Sequence, residues 1–330
     1  MATYSGIKGF DIQTIAGDPA NPVEGQVWYN SSSNGLKAYG NVAGSWSSST
    51  AMPSGHGLAA TIGTTSACIV CMGNSPPDNY TRTTTQWNGS SWTAGGTVNR
   101  EKGSEQQGFG IVTAAVITCG YDAEDPVSTF TTFVEEYNGT AWTEVNNTSD
   151  GRQGGSAAGT EAAGFIFGGA PPLGLGLVTE EYDGTSWAAG GSLTTGRERP
   201  MGDACGTQTA ALCIGGYTTT AITTCEEYGG TSWTAGGALN TAMYNGGCSG
   251  TQTAGLSFAG NNPGVNICES YNGTAWTAEA TLATGRGYCN GTGTGTSAFL
   301  CGGGYPFTGP AKTLVEEWTS GNSVITFTDS

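Results

Sequence analysis

The chain has 330 residues, of which 57 are glycine, while 11% are charged and 10% aromatic. Glycine at more than twice its usual ~7%, with no Gly-X-Y period, excludes collagen, and the aromatics suffice for a core while the charges are too few to keep a disordered chain solvated. Ten basic against 26 acidic residues leave a net charge of −16, which repels a phosphate backbone and argues against nucleic acid as a partner. Abundant Gly and Thr predict few long helices. No apolar run reaches 18 residues, so no membrane insertion is expected. The opening Met1-Ala2-Thr3-Tyr4-Ser5-Gly6 lacks the basic and apolar regions of a signal peptide, so synthesis in a cytoplasm is expected.

In chain order, residues 1–35 stand apart and read as an attachment segment, with residues 36–330 as one repeat domain. A degenerate unit runs from Ala38-Tyr39 to Trp46. Five clearer units follow, ending in Gln86-Trp87-Asn88-Gly89-Ser90-Ser91-Trp92, Glu136-Tyr137-Asn138-Gly139-Thr140-Ala141-Trp142, and the corresponding stretches to Trp187, Trp233 and Trp276; a last copy begins at Glu317-Trp318. A second column keeps the same period: apolar runs end in glycine at Gly73, Gly120, Gly169, Gly216, Gly260 and Gly303. Two columns sharing one period near 46 residues define a repeat architecture.

Each unit reads as β. Ala210-Ala211-Leu212-Cys213-Ile214 is a short apolar run stopped by Gly-Gly, the pattern of a buried strand. Asn138-Gly139 and its counterparts signal type I′ hairpins, pairing Val134-Glu135-Glu136-Tyr137 with Thr140-Ala141-Trp142. Alternation puts Glu135 and Tyr137 on one face and Glu136 on the other. A further strand is expected between each Trp and the next Gly-Gly, for instance at residues 156–159. Four strands per unit, repeated about six times, predict an all-β propeller of six four-stranded antiparallel blades. Seven blades is the alternative, because either Ser45-Trp46 or the stretch 323–327 could supply a closing strand. The Trp column is expected to carry much of the stability.

The apolar strand ending in Gly-Gly, the Glu-Tyr pair, the Trp, and the Arg that follows at Arg100, Arg152, Arg197 and Arg286 resemble a kelch repeat, with a shortened Tyr-to-Trp step. A narrower resemblance lies in Gly17-Asp18-Pro19-Ala20-Asn21-Pro22-Val23-Glu24-Gly25-Gln26-Val27-Trp28-Tyr29-Asn30-Ser31, which is similar to the lead-in of structural proteins of tailed bacteriophages, especially those of marine cyanobacteria. That resemblance implies a non-enzymatic virion component, such as a tail fibre, tail-tip or capsid-surface protein. Its implied partners are other virion proteins and a host-surface glycan or receptor. The alternative is a carbohydrate-binding or carbohydrate-cleaving propeller.

Chemistry candidates have plain structural readings. Cys68-Ile69-Val70-Cys71 has C-x-x-C spacing, but a three-residue step on a strand sends the two thiols to opposite faces, poor geometry for one zinc. The other cysteines sit in apolar columns, Cys119 beside Ile214, and are expected to be core thiols. No metal or cofactor site is expected. The single histidine, His56, falls in the column of Arg152 and Arg286 and lacks the second His that kelch-type copper oxidases need. Asp183-Gly184 lacks the residue that a sialidase Asp-box places between Asp and Gly. The pairs Glu135/Glu136, Glu180/Glu181, Glu226/Glu227 and Glu316/Glu317 recur, whereas an active site is built once; one Glu of each pair is expected to face solvent and the other to meet the repeat Arg. Binding is expected on the variable loops after Gly-Gly, with Tyr80, Arg82, Tyr121, Asp122, Tyr217, Tyr305 and Phe307 as the candidates.

Overall fold

The computed structural model describes residues 12–20, 26–74, 80–100, 105–121, 130–170, 176–203, 205–260, 264–293, 298–304 and 313–327. Among them there is no helix, so none long and apolar enough to cross a membrane. The chain divides into two compact units, one of Ser45–Thr319 and one of Met1–Gly44 with Ser320–Ser330. The larger unit is a six-bladed β-propeller.

Five blades are antiparallel sheets with their four strands in chain order. Blade 1 holds Ala60–Thr64, Ala67–Cys71, Thr84–Trp87 and Trp92–Ala94, and blade 2 runs from Gln107–Ile111 to Trp142–Val145. Blades 3, 4 and 5 start at Ser156–Thr160, Gly206–Thr207 and Gly247–Thr251 and end at Trp187–Ala189, Trp233–Ala235 and Trp276–Ala278. The first strand of each blade lies against the first strand of the next, and that of blade 6, Asn290–Gly293, lies against that of blade 1, so the ring closes. Blade 6 continues with Ala298–Gly302 and residues 315–319, and takes its outer strand from residues 45–48. Trp46 fills the outer-strand Trp position there, 5.4 Å from Trp318 and 5.5 Å from Phe258 between ring centroids. Six blades therefore account for every Trp unit, and the N-terminal strand, not the stretch 323–327, closes the last one.

The units divide differently from the boundary drawn at residue 35. Strand Gly35–Ser48 contributes to both units, as does Val315–Thr326, so the smaller unit extends to Gly44 and includes a C-terminal piece. Within the smaller unit, Gln13–Ile15 pairs in parallel with Val27–Asn30, which pairs antiparallel with residues 35–38. Asp18 organises the lead-in: it accepts from Asn30 Nδ2 at 2.7 Å and from Trp28 Nε1 and Lys37 Nζ at 3.1 Å.

The hairpins form where expected, but by another turn. Tyr137 pairs with Trp142 across four loop residues, and Asn138 Oδ1 accepts from the amides of Thr140 and Ala141. Only Gly139 has positive φ (91°), so the Asn acts as a side-chain turn cap rather than as the first residue of a type I′ turn. Asp183 does the same in blade 3. The Gly-Gly column also shifts at its end. The paired left-handed positions are Met72-Gly73, Cys119-Gly120, Gly168-Gly169, Gly215-Gly216, Ala259-Gly260 and Gly303-Gly304, so Gly304 is the last member and Cys119 corresponds to Gly215, not Ile214.

The core lies between blades. Tyr137 and Trp142 of blade 2 pack against Ile62, Ile69 and Cys71 of blade 1, and blades 4 and 5 repeat this with Tyr271 and Trp276. Trp142, Trp233 and Trp276 are buried, whereas Trp92 and Trp187 are half-buried, so the Trp column is not uniform.

Candidate functional site

The recurring charged residues are committed to holding blades. In blade 3, Arg152 Nη2 donates to Glu180 Oε1 at 2.5 Å while Nη1 reaches Val178 O at 2.9 Å and Gly168 O at 3.4 Å. Arg197 does the same with Glu226, Thr224 O and Gly215 O, and Arg286 with Glu316, Leu314 O and Gly303 O. All six side chains of these pairs are buried. The pairing expected for one Glu of each pair is thus found in three blades. Blades 2 and 5 differ: Glu135 accepts from Asn99 N and Nδ2 and from Arg100 N, and Glu269 from Asn240 N and Nδ2 and from Thr241 N. The Arg100 guanidinium lies over the Phe133 ring, 3.7 Å from its centroid, with Nε 3.8 Å from Glu144 Oε1. Buried Met243 takes the Arg position in blade 5.

The second Glu does not simply face solvent. Tyr182 Oη donates to Glu136 Oε1 of the preceding blade at 2.6 Å, Tyr271 Oη to Glu227 at 2.6 Å, and Tyr228 Oη to Glu181. In blade 1 the position holds Gln86 and the direction reverses, Nε2 donating to Tyr137 Oη at 2.6 Å. Burial and the carboxylate partner push the Tyr228 phenol up to about 12. Where the next blade carries Trp318 instead of Tyr, the position of the second Glu holds Ser270, whose Oγ donates to Glu279 Oε1 at 2.7 Å.

His56 is the blade 1 member of the Arg column. Its Nδ1 donates to Met72 O at 2.9 Å, the carbonyl equivalent to Gly168 O, and its Nε2 accepts from Ser54 Oγ at 2.9 Å. The nine cysteines whose side chains are described are buried thiols. Cys71 joins the core between blades 1 and 2, and Cys68 the cluster with Met52, Trp87 and Val315, on opposite faces as the strand step requires. Among the described residues no group of His, Cys, Asp or Glu is arranged to hold a metal ion.

The loops after Gly-Gly and the connections after Trp meet at one end of the ring, because strands one and three of each blade run toward the opposite end. Backbone bridges tie the two sets, as between Gln153 and Ala170 and between Glu198 and Tyr217. Of the seven loop candidates, Tyr80 and Tyr121 pack across blades 1 and 2 with ring centroids 5.9 Å apart and planes tilted by 41°. Tyr217 of blade 4 packs on Tyr244 at the start of blade 5, at 5.1 Å. Arg82 is bound to its own scaffold: Nε donates to Val98 O at 2.9 Å and Nη2 to Asn99 O at 2.7 Å. Asp122, Tyr305 and Phe307 lie outside the described residues.

At the centre of this end sits a feature that periodicity did not reveal. Leu58, Glu105, Gly154, Arg199, Asn245 and Tyr288, one from each blade, all have left-handed backbones with φ between 51° and 60°. Their peptides form a closed ring of six hydrogen bonds. Leu58 N donates to Tyr288 O, Glu105 N to Leu58 O, Gly154 N to Glu105 O, Arg199 N to Gly154 O, Asn245 N to Arg199 O and Tyr288 N to Asn245 O, at 2.6 to 3.2 Å. The backbone is six-fold regular here while the six side chains all differ. Five residues bear a Cβ in a conformation that costs most L-residues roughly 1–2 kcal/mol. Such strain concentrates at functional sites.

Those side chains bound a cavity of about 40 Å³. Glu105 Oε1 accepts from Arg199 Nε at 2.9 Å, with Glu198 Oε1 3.8 Å from Arg199 Nη1. The pair crosses above Gly154, where a Cβ would lie 2.7 Å from Glu105 Oε2. Glu105 Oε2 and Asn245 Nδ2 are buried and find no hydrogen-bond partner among the described residues. Burial pushes the Glu105 carboxyl up against the opposing effect of Arg199, and the neighbouring carboxylates hold the guanidinium charged despite burial. Asp203, also lining the cavity, is fully buried; Gly108 N of blade 2 donates to its Oδ2 at 3.3 Å. The other mouth is wider, about 250 Å³, and is rimmed by Gly63, Gly110, Gly159, Gly206, Gly250 and Gly293, all at positive φ.

No family model matches the chain, and no curated protein sequence matches it. Among solved structures it is similar to that described as "Structure of YjhT", with a TM-score of 0.68 at 11% identity over 84% of this chain and 99% of that one. At that identity the likeness concerns the fold alone. It supports the propeller architecture independently of the repeat arithmetic.

Proposed function

We propose that the chain is a non-enzymatic structural protein of a tailed-bacteriophage virion, whose propeller is a rigid module presented with its variable-loop end outward. One observation carries the non-enzymatic part. The carboxylates that recur along the chain are engaged in holding blades together, by Arg152, Arg197 and Arg286 on one side and by Tyr182, Tyr228 and Tyr271 on the other. The virion part rests on the lead-in around Asp18-Pro19 and Val27-Trp28-Tyr29-Asn30, which resembles phage structural proteins. The smaller unit, built around Asp18, is the attachment element in this reading, and an acidic chain avoids the packaged genome.

The test is mass spectrometry of purified particles from an infected lysate. Peptides of this chain should remain with the particles through density-gradient purification. Their recovery only in the soluble fraction would overturn the assignment. Turnover of any glycan in hydrolysis assays would overturn the non-enzymatic reading. A partner-binding role for the loop end is favoured by the irregular side chains on the regular peptide ring.

A further inference from the structure

We infer that the ringed end of the channel is a binding site for a neutral saccharide, with one sugar hydroxyl seated in the cavity between Glu105 and Asn245 and the sugar face resting on Tyr244. This deepens the reading of the loop end as the partner-binding end and rests on it.

The inference starts from what the cavity lacks. Buried polar atoms are almost always hydrogen-bonded. Here one acceptor, Glu105 Oε2, and one donor, Asn245 Nδ2, border the same small space without partners among the described residues. A hydroxyl is the simplest group that satisfies both, since it donates one hydrogen bond and accepts others. The volume, about 40 Å³, admits a hydroxyl or a water but not a whole sugar ring, so the ring must lie outside. An aromatic residue adjoins the site in the chain: Tyr244 precedes Asn245, is half-buried, and packs on Tyr217, whose backbone bridges to Glu198 beside Arg199.

Charge selects among sugars. The Arg199 guanidinium is already engaged by Glu105 at 2.9 Å and flanked by Glu198 at 3.8 Å. Among the described residues that line the cavity, no surplus positive charge remains for a carboxylate, sulfate or phosphate, and the chain as a whole carries −16. Acidic sugars are therefore disfavoured.

The ring geometry supplies a test that leaves folding intact. Gly154 shows that glycine is accepted in this ring at φ 58°, and Asn245 has φ 56°. Asn245→Gly should keep the backbone while removing the donor. The full chain would be applied to an array of neutral and acidic mono- and oligosaccharides, and the best neutral glycan then titrated against variants with unchanged thermal melting. Neutral glycans should bind, at least tenfold more weakly to Asn245→Gly, Glu105→Gln and Tyr244→Ala. Ile111→Ala, at the opposite, glycine-rimmed mouth, should bind like the parent chain. Binding only of acidic glycans, binding of none, or full binding by Asn245→Gly would overturn the inference. Particle proteomics answers separately, so a saccharide-binding chain absent from virions would sink the virion assignment and leave this site standing.

Discussion

The hydroxyl of Tyr182 donates to Glu136 Oε1 at 2.6 Å, linking blade 3 to a carboxylate of blade 2. Burial and the carboxylate raise the phenol well above its ordinary range, so the hydroxyl keeps its proton and donates at neutral pH. A hydrogen bond to a charged group is worth about 1.5–3 kcal/mol, and the lower part of that range suits a half-exposed carboxylate. Tyr182→Phe should therefore cost about 1.5 kcal/mol in urea unfolding. Glu136→Ser, imitating Ser270, should lose little more when added to Tyr182→Phe. Strict additivity of the two substitutions in a double-mutant cycle would deny the link.

Arg197 and Glu226 form a buried pair, and breaking such a pair by removing one partner costs about 3–5 kcal/mol. Arg197→Met, which copies Met243 of blade 5, should lose that much because it leaves Glu226 buried and without its cation. Glu226→Thr, copying Thr85 of blade 1, should recover part of the loss when combined with it. Chemical denaturation of both variants reads the difference. A single variant as stable as the parent would mean the pair contributes nothing.

Burial holds the His56 imidazole below its ordinary value, against the smaller opposing effect of the bond to Met72 O. The unfolded chain takes up a proton below about pH 6.5 that the folded chain resists. Stability contributed at His56 is thus present above that pH and lost as pH falls through it. Urea midpoints at pH 7.5 and 5.5 should fall further for the parent chain than for His56→Gln. Equal changes would show that His56 does not titrate against the fold.

Asp203 presents the opposite sign. Burial pushes its carboxyl well above the usual carboxylate range, and the amides of Gly108 and Ala157 only partly offset this. Its ionisation therefore opposes folding at neutral pH, and the penalty disappears as pH falls toward the carboxylate range. Asp203→Asn keeps an acceptor for Gly108 N and should stabilise by on the order of 1–2 kcal/mol at pH 7.5, with the gain shrinking toward pH 4. Thermal melting at the two pH values measures it. A destabilised variant at pH 7.5 would show that the carboxylate is needed ionised.

Much of this architecture was legible in the residue order, for a definite reason. Each blade solves the same packing problem, so Trp142, Trp233 and Trp276, the Glu-Tyr pairs and the Gly-Gly column return at one spacing, and the opposite faces of Cys68 and Cys71 follow from strand alternation alone. Pairwise roles were partly legible: Arg152, Arg197 and Arg286 meet a Glu, but the second Glu had no visible partner, because its Tyr lies one blade, some 46 residues, further along. The peptide ring at the channel end was decided by tertiary structure. Its members share a backbone shape and no side-chain chemistry, a left-handed φ leaves no mark on Leu58, Glu105, Arg199 or Tyr288 in a sequence, and blade 4 carries two extra residues between Arg197 and Gly206 that break the spacing found between Arg152 and Gly159. Repetition exposes what every blade needs; what only one ring of side chains does becomes visible when closure brings six distant peptides within hydrogen-bonding reach.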